Sequence, residues 1–393
     1  MEHSIKAQQY RKTDLIDTTK IEREEVVSDG SEYYKRLIFD ISKAEESIDL
    51  EVYIFEEDTV GAEITETLFA AAKKGVKIRV MLDGIGSLSF SKKKLIQYEN
   101  AGIPVRIYHP LPWYFWHWRF TAKSTHLSFF SNIFHLISVI NRRNHRKYCI
   151  IDQQIVWVGS FNISKCHLST DKGGGGWRDT AVRLQGFQFD ELQRAFDRTW
   201  DKQRFSRNGR LRKIDPLIRL NEPRRKRRLS YKELLMRIEQ CKFRIRITNA
   251  YFIPEVSLLN KLSLAASRGV DVKILLPGRS DLFFMPWASN IFYNKLLENG
   301  VRIFEYQHAV LHAKTFIIDD WITVGSSNLN HRSLTHDLEV DAILQTSESK
   351  KTVSEQFLND LRLSKEILLS DITKHFSWKR MLGRLALYLR YWL

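Results

Sequence analysis

The sequence predicts an α/β protein of two homologous halves, each a mixed β-sheet flanked by helices, packed pseudo-twofold around one active site. Three observations predict it. Segments recur in the same order along the 393 residues. Within each half, β-rich runs alternate with helical spacing, as βαβ units do. One polar motif, whose chemistry needs two copies, occurs once per half.

The repeats are plain in the residues. AAAKKGVKIRVMLDG at 70–84 returns as LAASRGVDVKILLPG at 264–278, and AGIPVRIYHP at 101–110 as NGVRIFEYQH at 299–308. NHRKYCIIDQQIVWVGSFN at 144–162 returns as LHAKTFIIDDWITVGSSN at 311–328. Two long copies indicate a duplication and not a solenoid. Gly102 and Gly300 lie 198 positions apart but His145 and His312 only 167, so the first half carries 31 extra residues before its histidine. In the first half a helix is expected over residues 33–47, a strand over 50–55, a helix over 59–73 that stops before Gly75, and a mostly buried strand over 77–82. The expected layout is an N-terminal tail (1–30), a first domain (31–206) with an aromatic insertion (109–144), a basic linker (207–230), a second domain (231–370) and an amphipathic C-terminal segment (371–393).

Composition narrows the class. At 43% hydrophobic residues the chain sits just below the globular norm, which excludes disordered and collagen-like polymers. The net charge of +16 points to a polyanionic partner, either nucleic acid or an anionic membrane surface. Cys149, Cys166 and Cys241 are too few and scattered for a disulfide framework or a zinc site, and a reducing compartment is expected. The N-terminus shows no signal peptide, and the most apolar run, residues 129–140, is too short and too interrupted to span a bilayer.

The chemistry lies in His-x-Lys. His145 and Lys147, then His312 and Lys314, point to one face of a strand. Asp152 and Asp319 follow five residues after each lysine, then Gly159-Ser160-Phe161-Asn162 and Gly325-Ser326-Ser327-Asn328. The stretches between read as hairpins around a polar turn, the second one residue shorter than the first. A lone His-x-Lys means little; two copies with the same trailing residues do not arise from an idle surface. A histidine nitrogen can attack phosphorus, and a second histidine opposite can protonate the leaving alkoxide and then deprotonate the incoming alcohol or water. Two lysines with Ser160, Asn162, Ser326 and Asn328 supply donors to oxygens gaining charge. The catalytic candidates are His145, Lys147, Asp152, His312, Lys314 and Asp319. No metal or other cofactor is required.

These residues resemble those of the phospholipase D superfamily. WRDTAVRLQG (177–186), AFDRTW (195–200), residues 247–281 and GSSNLNHRSL (325–334) are similar to bacterial cardiolipin synthases, from about Tyr33 to about Leu363. The resemblance implies a metal-independent phosphatidyltransferase that joins two phosphatidylglycerol molecules into cardiolipin, releasing glycerol through a phosphohistidine. It implies His145 as nucleophile and His312 as general acid/base, or the reverse, with both lysines holding the phosphate. It makes Asp179 and Glu339 the carboxylates that orient the histidines. Asp152 and Asp319, at the hairpin turns, are expected to be more structural than chemical. The rivals are a phospholipase D that hydrolyses phospholipid to phosphatidic acid and, less favoured, a nuclease of the same family. A catalytically dead membrane-binding protein is disfavoured because both motifs are intact.

The expected partner is anionic phospholipid, phosphatidylglycerol, met through peripheral contact with the cytoplasmic side of a bacterial cell membrane; the sequence names no protein partner. PWYFWHWRF (112–120) and the amphipathic run behind it suit a bilayer interface or a lid over the domain. Residues 377–393 read as a membrane-surface helix or one docked on the core. RRKRR (224–228) is a head-group contact, a solvated linker or a nucleic-acid contact. The glycine run in DKGGGGW (171–177) is a mobile loop at the site mouth or a spacer. His117, His126 and His135 have no ligand-like spacing.

Overall fold

Helix ends are set by local side chains. Asp29 and Asp58 open the first two helices by accepting the N–H of Glu32 (2.8 Å) and Gly61 (3.0 Å). The second helix ends just before Gly75, which holds φ at 94°. The computed structural model describes residues 22–111, 120, 142–186, 189–201, 217–222, 224–282 and 284–374. The first half runs β1 (Arg23–Val27), α1 (Gly30–Ser42), β2 (Ser47–Val52), α2 (Thr59–Lys73), β3 (Lys77–Asp83), α3 (Lys92–Asn100), β4 (Val105–Tyr108), β5 (Tyr148–Ile151), β6 (Ile155–Gly159), β7 (Ala181–Gln185) and α4 (Asp190–Trp200). The second runs β8 (Ile218–Leu220), α5 (Arg224–Gln240), β9 (Arg244–Thr248), α6 (Val256–Ser267), β10 (Asp271–Pro277), α7 (Met285–Asn290), α8 (Tyr293–Glu298) and β11 (Arg302–Tyr306). It continues through β12 (Thr315–Ile318), β13 (Trp321–Gly325), α9 (His331–Thr335), β14 (Val340–Ile343), α10 (Ser347–Arg362), β15 (Ser364–Ile367) and α11 (Leu369–Lys374).

Each half forms one mixed sheet, ordered β1-β7-β6-β5-β2-β3-β4 and β15-β11-β10-β9-β12-β13-β14-β8. The β2-β3-β4 and β9-β10-β11 triplets are parallel, and the remaining pairings antiparallel. The second sheet matches the first strand for strand and adds β15 at one edge. Val156, Val158, Val182 and Leu184 of the first sheet share a single core with Ile322, Val324, Val340 and Ala342 of the second. Separate apolar cores lie under α1–α3 and under α5, α6 and α8. The sheets therefore face each other across one apolar layer, and the site forms where their strand ends meet.

Three boundaries differ from the sequence reading. Residues 23–27 of the expected tail form β1, paired antiparallel with β7, and α1 begins at Gly30. The helix expected to reach residue 47 stops at Ser42, and β2 starts at Ser47, because the Asp152 carboxylate takes the N–H groups of Glu45, Glu46 and Ser47 at 2.8–2.9 Å. The expected basic linker carries β8 and the first turns of α5. Arg227 is buried and donates to the carbonyls of Thr335, His336 and Asp337, and Lys226 pairs with Glu191 at 2.9 Å. Those two cations of RRKRR hold helices together and do not lie in a solvated linker. Among the described residues no helix is long and apolar enough to cross a membrane. Most of the 109–144 insertion, with His117, His126 and His135, and residues 375–393 lie outside the described residues.

Candidate active site

Cross-half backbone bridges set the site. The N–H of His145 donates to the Leu338 carbonyl (3.0 Å), and the N–H of His312 to the Arg178 carbonyl (2.9 Å). Each histidine is thus seated one residue from a carboxylate of the opposite half. His145 Nδ1 lies 3.0 Å from Glu339 Oε2, and His312 Nδ1 lies 2.8 Å from Asp179 Oδ1. Both carboxylates are buried. Sequence reasoning named both; the crossing between halves is what the structure adds.

The Gly-Ser pairs after β6 and β13 are needed for close approach. A Cβ at Gly159 would stand 2.5 Å from the Thr180 carbonyl, and one at Gly325 would stand 2.2 Å from Asp341 Oδ1. Next to them, Ser326 Oγ donates to Glu339 Oε2 (2.6 Å), while Ser160 Oγ exchanges hydrogen bonds with the Thr180 backbone (3.0 and 3.2 Å). The hairpins absorb their length difference in the turn. Ile151 faces Ile155 across three residues, Ile318 faces Trp321 across two, and the pairings Tyr148–Val158 and Thr315–Val324 keep the same register.

His145, His312, Asn162, Asn328 and Glu339 line one cavity of about 320 Å³. Lys147 and Lys314 are buried beside it, each donating to the carbonyl of its own histidine. Asp152 and Asp319 were grouped with the catalytic candidates; the structure sets them apart from the cavity, at positive φ in the hairpin turns. Asp152 pins the start of β2, and Asp319 pins β9 by accepting the N–H groups of Lys242, Phe243 and Arg244 at 2.9–3.0 Å. Their work is anchoring: Asp152 accepts backbone N–H groups, and Asp319 accepts backbone N–H groups and the Cys241 thiol (3.3 Å).

The electrostatics of the two pairs differ. Burial, joined by Lys147 and Lys314, holds His145 well below the usual imidazole range. Burial pushes Glu339 up to about 7 against the opposing pull of Lys147, Ser326 and Ser333. Burial and Lys314 also lower His312, but Asp179 resists that shift. Burial alone would raise Asp179; His312 and His167 outweigh it and hold the carboxyl well below its usual range. Lys147 is brought down to about 7 by burial and Lys314, and Lys314 to about 8 by burial.

Several residues escaped sequence reasoning. His167, fully buried, brings Nδ1 within 2.8 Å of Asp179 Oδ2, in a bent contact, while its Nε2 accepts the N–H of Asn162 at 3.2 Å. Asp179 draws His167 up to about 9 against burial. The Asn162 N–H aimed at Nε2 opposes a second proton there and leaves the ring's proton on Nδ1, facing Asp179 Oδ2. Ser333 takes the same place in the second half, accepting the N–H of Asn328 (3.0 Å) and donating to Glu339 Oε1 (2.6 Å). Both stand five residues after the motif asparagine, a signal the aligned repeats contained. Tyr53 packs 5.0 Å from His145, ring to ring, and Trp177 packs 5.7 Å from His312. Tyr251, bonded to Asp281, and Arg332 complete much of the wall. The glycine run before Trp177 is a bonded turn: the N–H groups of Gly174, Gly175 and Gly176 reach Ser169, Cys166 and Leu168 at 2.8–3.1 Å. A Cβ at Gly174 would lie 2.1 Å from the Leu168 carbonyl. Among the described residues no group of three or more histidines, cysteines or carboxylates is placed to share a metal ion.

The fold and crossed site define a two-domain enzyme class, and comparison with known proteins names it. Phosphatidylserine synthase of Haemophilus influenzae Rd KW20 has a similar fold (TM-score 0.64, 14% identity, 95% of this chain and 93% of that one). So does polyphosphate kinase of Porphyromonas gingivalis (TM-score 0.60, 12% identity, 89% and 49%). Residues 37–200 and 234–361 match the family described as cardiolipin synthase, PLD-like domain. A cardiolipin synthase of Clostridium perfringens (strain SM101 / Type A) is 32% identical over 362 residues, covering 88% of this chain and 72% of that protein. One from Staphylococcus aureus (strain Mu50) is 32% identical over 367 residues, covering 90% and 70%. The chain belongs to the cardiolipin synthase, PLD-like domain family.

Proposed function

We propose that the chain is a phosphatidyltransferase that joins two phosphatidylglycerol molecules into cardiolipin and glycerol through a phosphohistidine. The observation that carries this reading is the crossed pair of imidazoles on one cavity, each tied through Nδ1 to a carboxylate of the other half. With Nδ1 engaged, Nε2 is the nitrogen left to react. A neutral His145 beside a carboxyl of raised proton affinity suits the nucleophile; His312 beside the ionised Asp179 suits the proton donor.

In the first step His145 Nε2 bonds to phosphorus, the phosphorus–oxygen bond to glycerol breaks, and His312 protonates the departing oxygen. In the second, neutral His312 takes the proton from a hydroxyl of the second phosphatidylglycerol. That oxygen bonds to phosphorus, the nitrogen–phosphorus bond breaks, and both rings return to their starting states. Lys147 and Lys314 each carry three N–H donors, one spent on a histidine carbonyl and the others available to phosphate oxygens. Asn162 and Asn328 add neutral donors from the cavity wall. Ser160 and Ser326 hold the strand ends and, for Ser326, the Glu339 carboxylate. The net charge of +16 supports peripheral binding to an anionic surface, at the cytoplasmic face of a bacterial membrane.

The test is product analysis after incubating the purified chain with phosphatidylglycerol vesicles. Cardiolipin with an equal amount of glycerol is the expected outcome. Phosphatidic acid without cardiolipin would replace the transferase by a hydrolase, and inert lipid alongside cleaved DNA would replace it by a nuclease.

A further inference from the structure

The two halves close their carboxylates differently. Five residues after the motif asparagine, the second half places a hydroxyl, Ser333, against Glu339; the first places an imidazole, His167, against Asp179. His167 is buried in the short turn Lys165–His167, wedged between Phe161, Tyr34 and Trp177 with ring centroids 5.3–6.5 Å away. Its ring centroid lies 6.3 Å from that of His312, with Asp179 bridging them. Asp179 therefore divides its two oxygens between two imidazoles, whereas Glu339 serves one imidazole and two hydroxyls.

We propose that His167 is a positioning residue for the reaction: through Asp179 it fixes the ring of His312 and draws off part of the carboxylate's hold on the His312 proton. This rests on the two-histidine reading above. A buried carboxylate with only one partner would rotate and would concentrate its charge on that partner. The bent 2.8 Å approach of His167 Nδ1 gives Oδ2 an electrostatic partner of its own, which holds the carboxylate plane and leaves Oδ1 aimed at His312 Nδ1. Sharing the charge weakens the pull on the His312 proton, so His312 releases it more readily to a leaving alkoxide. The other charged and titratable groups facing His312 are Lys314, His145, Asp281 and Tyr251; beside His167 they are Asp179, Cys166 and Tyr34. Each of these stays in place when His167 is replaced.

The experiment titrates the His312 ring by ¹⁵N NMR of histidine-labelled full-length protein, the signal being assigned by its loss in His312→Gln. In His167→Leu and in His167→Ala, neither of which offers Asp179 a donor, the His312 pKa rises by about half a unit or more. In both, kcat on phosphatidylglycerol vesicles falls about tenfold or more, a part of what a general acid contributes, with KM unchanged. His167→Gln, which keeps an N–H for Asp179, stays near the wild-type titration. If the Leu variant does not fold, the Ala variant carries the same reading. An unmoved His312 titration in the folded variants, with loss only of thermal stability, overturns the proposal, as does an equal shift in His167→Gln. Because the ring is titrated directly, this result stands apart from whether the chain transfers or hydrolyses.

Discussion

Asp179 and His312 lie 133 positions apart in sequence, yet a 2.8 Å hydrogen bond from Nδ1 to Oδ1 joins them across the two halves. Asp179→Asn keeps the shape and removes the charge that favours the imidazolium. The expected outcome is a fall in kcat of about 10²–10⁴-fold with little change in KM, the cost of losing an orienting carboxylate. Cardiolipin formation measures it, and a variant keeping more than a tenth of the wild-type rate would detach Asp179 from the chemistry.

The assignment of roles can be read from a trapped intermediate. With phosphatidyl-p-nitrophenol the leaving group needs no proton, so His312→Ala should complete the first step and stall at the second. Acid-labile phosphatidyl label is expected on His145, located by mass spectrometry of peptides. Label on any other residue, or none alongside a burst of p-nitrophenol, assigns the nucleophile elsewhere.

The lysines set a pH window. Lys147 near 7 and Lys314 near 8 carry charge below those values and lose it above them. The free enzyme attracts phosphate only while they are cationic, so kcat/KM should fall through about pH 7–8. Bound phosphate holds their protons, so the fall in kcat should lie at higher pH. Vesicle assays at constant ionic strength measure both limbs, and coincident limbs would place the titration off these lysines.

Glu339 couples activity to stability. Its folded pKa of about 7 stands above the ordinary carboxylate value of 4.5, so the native state binds the extra proton. That contribution is whole below about pH 4.5 and is lost as pH rises to about 7. Glu339→Gln removes the liability: on the order of 2 kcal/mol more stable at pH 8, nearly unchanged at pH 5, and inactive. Thermal melts at the two pH values give the comparison; a variant less stable at pH 8 contradicts it.

Much of this was legible because duplication writes the pattern twice. The 59–73 helix and the strand beginning at residue 77 followed from apolar spacing and a closing glycine. The hairpins followed from β-rich runs about a polar turn. What hid was long-range. That Asp179 serves His312 and Glu339 serves His145 depends on backbone bridges between Arg178 and Leu311 and between Asn144 and Leu338, which no local spacing encodes. β2 begins at Ser47 because of a carboxylate some hundred residues away. For RRKRR, charge left head-group contact, solvated linker and nucleic-acid contact all open, since the carbonyls that hold Arg227 belong to the 335–337 segment. His167 was overlooked because its counterpart is a serine, and the repeats were matched on likeness.

The apolar layer shared by the facing sheets has a consequence for traffic. Jaw-like opening would wet Val156, Val158, Ile322, Val324 and their neighbours at once, at roughly 1.5–3 kcal/mol for each large side chain uncovered. The cleft is thus a fixed notch. Head groups then enter and product leaves past walls that do not swing apart, so turnover depends on how the rim of that notch meets the lipid.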